Sequence, residues 1–271
     1  MMTPDDTNDE SLREDLGAGA DQPMGAPPLQ SYETALPDID HDELDGHLVV
    51  LEGPDGSGRT TQIDLLTEWL EWNGYAVQTM GLRRSRLMAE NIDELLGRNE
   101  VRRLTLALLY ATDFYDQLSN SIIPALKAGF VVLADRYVYT LIARAAVRGI
   151  DRDYLREVYS FSPQPDLAVR LEVSPRVSFE RIFEEKQAIS YWEAGGDLNL
   201  ADTLFDSFVE YQELLREEFN RLDTRSYFDS IDGEASVRDI NDKLRERLAD
   251  YLGIESTEYT PSEDLLPLWN K

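Results

Sequence analysis

The sequence predicts a three-layer α/β fold in which helices cover both faces of a parallel sheet. Three observations carry this expectation. Short apolar runs of strand length alternate with amphipathic stretches of helix length from His47 to Leu252. One run, Phe130–Ala134, is wholly apolar, as a strand buried on both faces requires. A glycine-rich turn, Gly53–Gly58, joins the first strand to the first helix, at the strand ends where open parallel sheets place ligands.

Each element has its own signal. His47–Glu52 (HLVVLE) reads as a short buried strand. Thr60–Asn73 reads as a helix, because Ile63, Leu66, Trp69 and Leu70 share one face and Gly74 sits where a helix ends. Tyr75–Thr79 is a second strand, and a helix near Leu87–Leu96 follows. Asn99 is the expected N-cap of a long helix that reaches Lys127 and is stopped by Gly129. After the Phe130–Ala134 strand come helices near Thr140–Val147 and Arg152–Tyr159, then a strand over Leu167–Val173. Pro175 opens the next helix at its first turn. Asp202–Leu222 is a long amphipathic helix, Tyr227–Ile231 the last strand and Ser236–Leu252 the last helix.

Composition narrows the chemistry. There is no cysteine, which removes disulfides and thiol nucleophiles, and His41 and His47 are the only histidines. Carboxylates, arginines, hydroxyls and backbone N–H groups are left to do the work, and phosphoryl transfer needs little else. The net charge of −27 argues against a nucleic-acid partner or an anionic membrane surface. No apolar run is long enough to span a membrane and the start has no signal-peptide pattern, so the expected location is cytoplasmic. Only four of the 26 basic residues are lysines. That balance fits a salt-rich cytoplasm and an ordinary arginine-favouring genome equally well. Residues 1–46 hold 13 acids against Arg13 alone, with no sustained apolar period, and read as a disordered acidic tail. The expected domain runs from 47 to 253, with a polar C-terminal tail over 254–271 that docks back on it.

The loop Gly53-Pro54-Asp55-Gly56-Ser57-Gly58-Arg59-Thr60-Thr61 matches the spacing of a phosphate-binding P-loop, with arginine in place of lysine. Glycines let the backbone curl so that successive N–H groups point at phosphate oxygens, and the helix N-terminus adds positive charge. ATP is the expected nucleotide. Thr60 can offer its hydroxyl to Mg²⁺ bound across the phosphates. Arg59 keeps the charge and can fork onto two oxygens, yet it is bulkier and flatter than lysine. The loop is therefore either an adapted active loop or the mark of a binder that lost turnover. Asp135-Arg136, at the end of the apolar strand, places a charged pair beside it.

The segments GPDGSGRTTQ, LLYATD, IIPALKAGFVVLADRY and PQPDLAVRLEVSP resemble thymidylate kinases, in order and spacing, across nearly all of 47–252. The resemblance implies a P-loop kinase fold, a homodimer, and Mg²⁺-assisted transfer of the γ-phosphoryl of ATP to a nucleoside monophosphate such as dTMP. It implies that Asp55 holds the acceptor sugar or organises metal-bound water. Arg59 would take the usual lysine's role, Asp135 would order the metal shell, and Arg136 would grip the transferring or acceptor phosphate. Three departures fall on the acceptor side. The family's Thr-Arg-Glu-Pro is Thr79-Met80-Gly81-Leu82, followed by Arg83, Arg84 and Arg86, one of which could replace the lost contact. The Arg after the Asp of the long helix is Phe114, and the Tyr-Gln that faces thymine is Arg144-Ala145.

Phe114 and Tyr110 could stack on a base or pack in the core. Arg181–Leu200 falls where the family has a lid. Arg181 and Lys186 could close on phosphates, with Gly195-Gly196 as a hinge. Arg98, Arg102 and Arg103 read as solvated surface unless the acceptor site reaches them. A kinase for another anionic acceptor and a non-catalytic nucleotide-binding module are the competing readings.

Overall fold

A computed structural model of the chain describes residues 44–99, 101–222 and 228–269. The expected N-terminal tail lies outside them except for its last three residues. Leu44 packs against the core, and the Gly46 N–H donates to the Leu126 carbonyl.

The sheet has five parallel strands in the order β2-β3-β1-β4-β5. These are β1 (His47–Glu52), β2 (Val77–Gly81), β3 (Val131–Asp135), β4 (Leu167–Glu172) and β5 (Asp229–Asp232). Central β1 pairs with β3 from His47↔Val131 to Leu51↔Asp135, and with β4 from Val49↔Leu167 to Glu52↔Arg170. All five carboxyl ends therefore lie along one edge.

The two faces explain why β1 is apolar at alternate and intervening positions alike. Leu48 and Val50 enter one core, where α3 (Arg103–Gln117), α5 (Val138–Val147) and α8 (Leu204–Leu222) cover the sheet. Val49 and Leu51 enter the other, under α1 (Arg59–Trp72) and α9 (Val237–Leu252). Trp69 is fully buried in this second core, and a Trp→Ala change at such a site costs about 3–5 kcal/mol.

The predicted elements are present, with three informative shifts. The second strand begins at Val77 rather than Tyr75, because the Tyr75 N–H closes the end of α1 on the Leu70 carbonyl, with Gly74 left-handed at φ 87°. Asn99 does not cap a long helix. It is left-handed at φ 54° and ends α2 (Ala89–Arg98). The long helix starts at Arg103 and passes through a π-helical turn, Leu118–Ile122, into α4 (Ile123–Lys127). Pro124 cannot donate a helical hydrogen bond and its ring crowds the preceding turn, so a widened turn there relieves both defects.

Beyond these lie α6 (Arg152–Val158), α7 (Pro175–Lys186) and the short α10 (Leu266–Trp269). The start of the last predicted strand, Tyr227, falls outside the described residues. The C-terminal segment folds back on α1 and α9. Tyr259 Oη donates to Glu68 at 2.8 Å, and the Arg245 guanidinium sits over the Tyr259 and Trp269 rings. Among the described residues no helix is long and apolar enough to cross a membrane.

Candidate active site

The site begins where β1 ends. Gly53, Gly56 and Gly58 take φ values of 147°, 74° and 86°, which favour glycine. At Gly53 a Cβ would also lie 2.7 Å from the Leu171 carbonyl, and at Gly56 2.8 Å from that of Ser178. Among the described residues the N–H groups of Gly58, Arg59, Thr60 and Thr61 find no acceptor. They open the first turn of α1 as a row of unpaired donors with the positive end of the helix behind them. A polyphosphate fits such a cradle.

Arg59 is folded into the loop it belongs to. Its Nε donates to Asp135 at 2.8 Å, and its Nη1 lies 2.7 Å from the Gly53 carbonyl, 2.5 Å from that of Pro54 and 2.8 Å from Ser57 Oγ. The residue is 7 % exposed. The guanidinium therefore spans from the loop to the end of β3, and its Nη2 group is left as the remaining donor.

Asp135 is the second member of this pairing. Its other oxygen accepts from Thr60 Oγ1 at 2.8 Å, and Arg84 lies 3.8 Å away. Burial pushes its carboxyl up. The Arg59 and Arg136 charges and the hydrogen bonds from Thr60 and Arg59 outweigh this and hold it below the usual range. Thr60 and Asp135 supply two oxygen donors side by side, which suits a magnesium ion that takes its remaining ligands from phosphate and water. Among the described residues no cluster of three carboxylates or histidines offers an all-protein cage.

Arg136 follows directly and is left-handed at φ 74°, a conformation that costs a non-glycine residue about 1–2 kcal/mol. Two bonds hold it there. Its N–H donates to the Leu51 carbonyl, and the next N–H, of Tyr137, donates to Glu52 Oε1 at 2.9 Å. This turn aims Arg136 back at the loop, where its Nη2 meets Asp55 Oδ1 at 2.5 Å. Burial and the nearby Arg59 charge bring Arg136 down to about 10. Arg144 Nη2 takes the other Asp55 oxygen at 2.9 Å. Burial opposes the Asp55 charge, yet Arg136 and Arg144 together hold its carboxyl far below the usual range.

Asp55 and Arg144 also line a cavity of about 460 Å³ between α2, α3, α5 and the segment after α7. Tyr110 lines its side and Trp192 its roof, the Trp192 indole N–H reaching the Leu96 carbonyl at 2.9 Å. Arg83 and Arg103 face it as well. Thus Arg103 reaches the cavity while remaining exposed to solvent, and Arg98, beside Glu94, and Arg102 are exposed and do not line it. Phe114 does not face the cavity. It is 2 % exposed and packs edge-on against Tyr115, Tyr137 and Tyr159.

Gly195-Gly196 is a packing pair and not a free hinge. A Cβ at Gly195 would meet the Tyr211 ring at 2.8 Å, and one at Gly196 the Tyr191 ring at 2.4 Å. Lys186 is held by Glu193 at 2.7 Å, and Arg181 Nη1 by the Gly233 carbonyl at 2.8 Å.

Sequence reasoning missed three working residues. Glu52 is fully buried and caps the start of α5 through Tyr137 N, Thr140 N and Thr140 Oγ1. Asp113 accepts the N–H groups of Arg83 and Ser85 and fixes the turn after β2. Arg148 is gripped by Asp197 and Tyr211 and stacked between the Trp192 and Tyr211 rings. An acid ending an apolar strand just before a helix was the available signal for Glu52. The other two depend on contacts distant in sequence.

A glycine loop between a central parallel strand and a helix, with a neighbouring strand supplying a carboxylate and an arginine to it, defines a P-loop phosphotransferase. A family model described as thymidylate kinase matches residues 51–235. A probable thymidylate kinase 2 from Saccharolobus solfataricus is 36 % identical over 208 residues, covering 76 % of this chain and 97 % of the relative. A probable thymidylate kinase from Pyrococcus horikoshii is 36 % identical over 185 residues, 65 % of this chain and 82 % of the relative. A thymidylate kinase from Caldicellulosiruptor saccharolyticus is 28 % identical over 229 residues, 77 % and 98 % of the two chains. The chain belongs to the thymidylate kinase family and is a nucleoside monophosphate kinase.

Proposed function

We propose that this protein transfers the γ-phosphoryl group of ATP to dTMP, giving dTDP and ADP. The observation that carries the reading is Arg136. A strained backbone turns it toward the loop, and its partner Asp55 lines the cavity that would take the acceptor. The unpaired N–H row from Gly58 to Thr61 would hold the donor's phosphates. Arg136, released from Asp55, would face the charge that builds on the transferring group, a role worth roughly 3–4 kcal/mol by analogy with single preorganised donors. Arg59 would present its remaining Nη2 hydrogens while its other nitrogens keep the loop in shape. Thr60 and Asp135 would hold Mg²⁺, which neutralises phosphate charge when bound. Asp55 would orient the acceptor through its sugar or an ordered water. Buried arginines at this junction already favour anionic groups over water.

The base-facing wall is where another acceptor competes, because Arg144 and Ala145 stand where the family places Tyr-Gln. A coupled ADP-release assay across all nucleoside monophosphates, at low and high KCl, tests the reading. The expected result is turnover highest with dTMP. Turnover highest with a different monophosphate reassigns the acceptor. ATP binding with no ADP released by any acceptor would leave Arg59 as the mark of a retired site. A homodimer in the cytoplasm goes with this reading, and sedimentation and cell fractionation check the two parts. The division at 46 and 253 goes with it too, and limited proteolysis checks the boundaries.

A further inference from the structure

A second cavity of about 430 Å³ lies on the other side of Asp55, between β4, β5, α5 and α8. Of the phosphate loop it touches only Gly53, Pro54 and Asp55, so the row of N–H donors opens elsewhere. Two buried donors at its wall have no hydrogen-bond partner: Gln212 Nε2 and Arg144 Nε. Gln212 is only 5 % exposed, and an unpaired donor buried so deeply is unfavourable. Both donors belong to residues that line this cavity, and an acceptor brought into it would meet the unmet hydrogen-bonding capacity of the two side chains. The deep wall is cationic, since Arg136 and Arg170 also line it and each is 7 % exposed. Leu215 and Phe219 give it an apolar side. The acids Glu172, Asp232 and Glu234 all stand exposed at the mouth.

We infer that this cavity is a second ligand site, for a small oxyanion carried on a flat apolar body. The oxyanion accepts from Gln212 Nε2 and Arg144 Nε, and the ring lies against Leu215 and Phe219. The size is within the range of small-molecule sites, roughly 300–1,000 Å³. Because Arg144 also grips Asp55 and lines the acceptor cavity, an occupant here acts on the acceptor side through that one guanidinium. The inference holds whichever monophosphate is phosphorylated.

Calorimetric titration of phenyl phosphate, and separately of inorganic phosphate, into the full chain saturated with AMPPNP–Mg²⁺ tests it. Phenyl phosphate is expected to bind, and more tightly than inorganic phosphate. Gln212→Leu, which keeps the shape and removes the donor, is expected to weaken it about 10-fold or more while basal turnover stays unchanged. Arg103→Met, which alters the acceptor cavity alone, is expected to leave it unchanged. A crystal soaked in phenyl phosphate gives a readout that needs no variant to fold, with the phosphate expected within hydrogen-bond distance of Gln212 Nε2. Binding abolished by AMPPNP–Mg²⁺, binding equally tight in Gln212→Leu, or a phosphate located in the acceptor cavity or the loop would each overturn the inference. Inorganic phosphate binding as tightly as phenyl phosphate would overturn the apolar part of it.

Discussion

Replacing Arg59 by lysine probes the one position where the phosphate loop departs from its usual form. The guanidinium bridges two places at once. Its Nε is bound to Asp135, while its Nη1 serves the Gly53 and Pro54 carbonyls and Ser57 Oγ. A lysine ammonium is a single nitrogen and cannot serve both. If it settles on the loop carbonyls, Asp135 keeps Thr60 and the more distant Arg84, and loses its closest cation. Breaking a buried pair outright costs about 3–5 kcal/mol. Here the positive charge stays nearby, so the cost falls nearer the 1–3 kcal/mol of a lost charged hydrogen bond. For a folded region of this size that lowers Tm by roughly 3–10 °C. Urea unfolding of the nucleotide-free protein gives the energy directly. Turnover in the same variant is expected to hold or rise, since Asp135 is then less tied for a metal. A wild-type unfolding midpoint together with lost turnover would refute the reasoning, because the guanidinium would then matter to catalysis and not to the loop.

Three further outcomes follow from the same geometry. Arg136→Ala is expected to lower kcat by about 10²–10³-fold with little change in ATP affinity, which steady-state kinetics and calorimetry separate; equal losses in both would count against a role in the transition state. Burial pushes the Glu52 carboxyl up, so the fold holds that proton more tightly than the unfolded chain does, and the stability from this group is fullest at low pH and declines as pH rises through the unfolded value near 4.3 toward the folded one. Glu52→Gln keeps an acceptor for Tyr137 and Thr140 and is expected to gain on the wild type between pH 4 and 7 in urea midpoints, whereas parallel curves would show that Glu52 carries no such penalty; Asp55 and Asp135, held low by their arginines, behave oppositely and lose their contribution as pH falls. The described region keeps a net negative charge, so unfolding midpoints are expected to rise from 0.1 to about 1 M KCl as screening shortens toward 3 Å, and to rise less with a neutral osmolyte; a flat KCl curve would remove self-repulsion as a factor.

Much of this fold was legible because its signals are local. Alternating strand and helix periods, Gly74 after α1 and Pro175 at the head of α7 each report on their own few residues. The phosphate loop was legible for the same reason, since its strand, glycines and helix are contiguous. What escaped depends on pairs far apart in the chain. Arg144 and Asp55 are 89 residues apart and Tyr137 and Glu52 are 85 apart, and no window of sequence contains either contact. The misplaced Asn99 has a different cause. An asparagine is equally at home capping the start of a helix and turning left-handed at the end of one, and only the position of α2 decides between them. Gly195-Gly196 illustrates the same ambiguity, because glycine permits both mobility and close approach, and the Tyr191 and Tyr211 rings select the second.

Glu52 has a wider consequence for how this enzyme can move. It is the last residue of the central strand, and it fastens both the turn that carries Arg136 and the head of α5 that carries Arg144. The root of the phosphate loop and the wall of the acceptor cavity are therefore riveted into one rigid block. Any opening that admits or releases ligands has to be carried by parts hung on that block from outside. The roof bearing Trp192 is such a part, tied to α2 by the indole hydrogen bond, to the end of α7 by the Lys186–Glu193 pair, and to Arg148 and Arg103 through Asp197. Opening there breaks side-chain ties and leaves the block fastened by Glu52 intact, which separates the timing of ligand traffic from the alignment needed for chemistry.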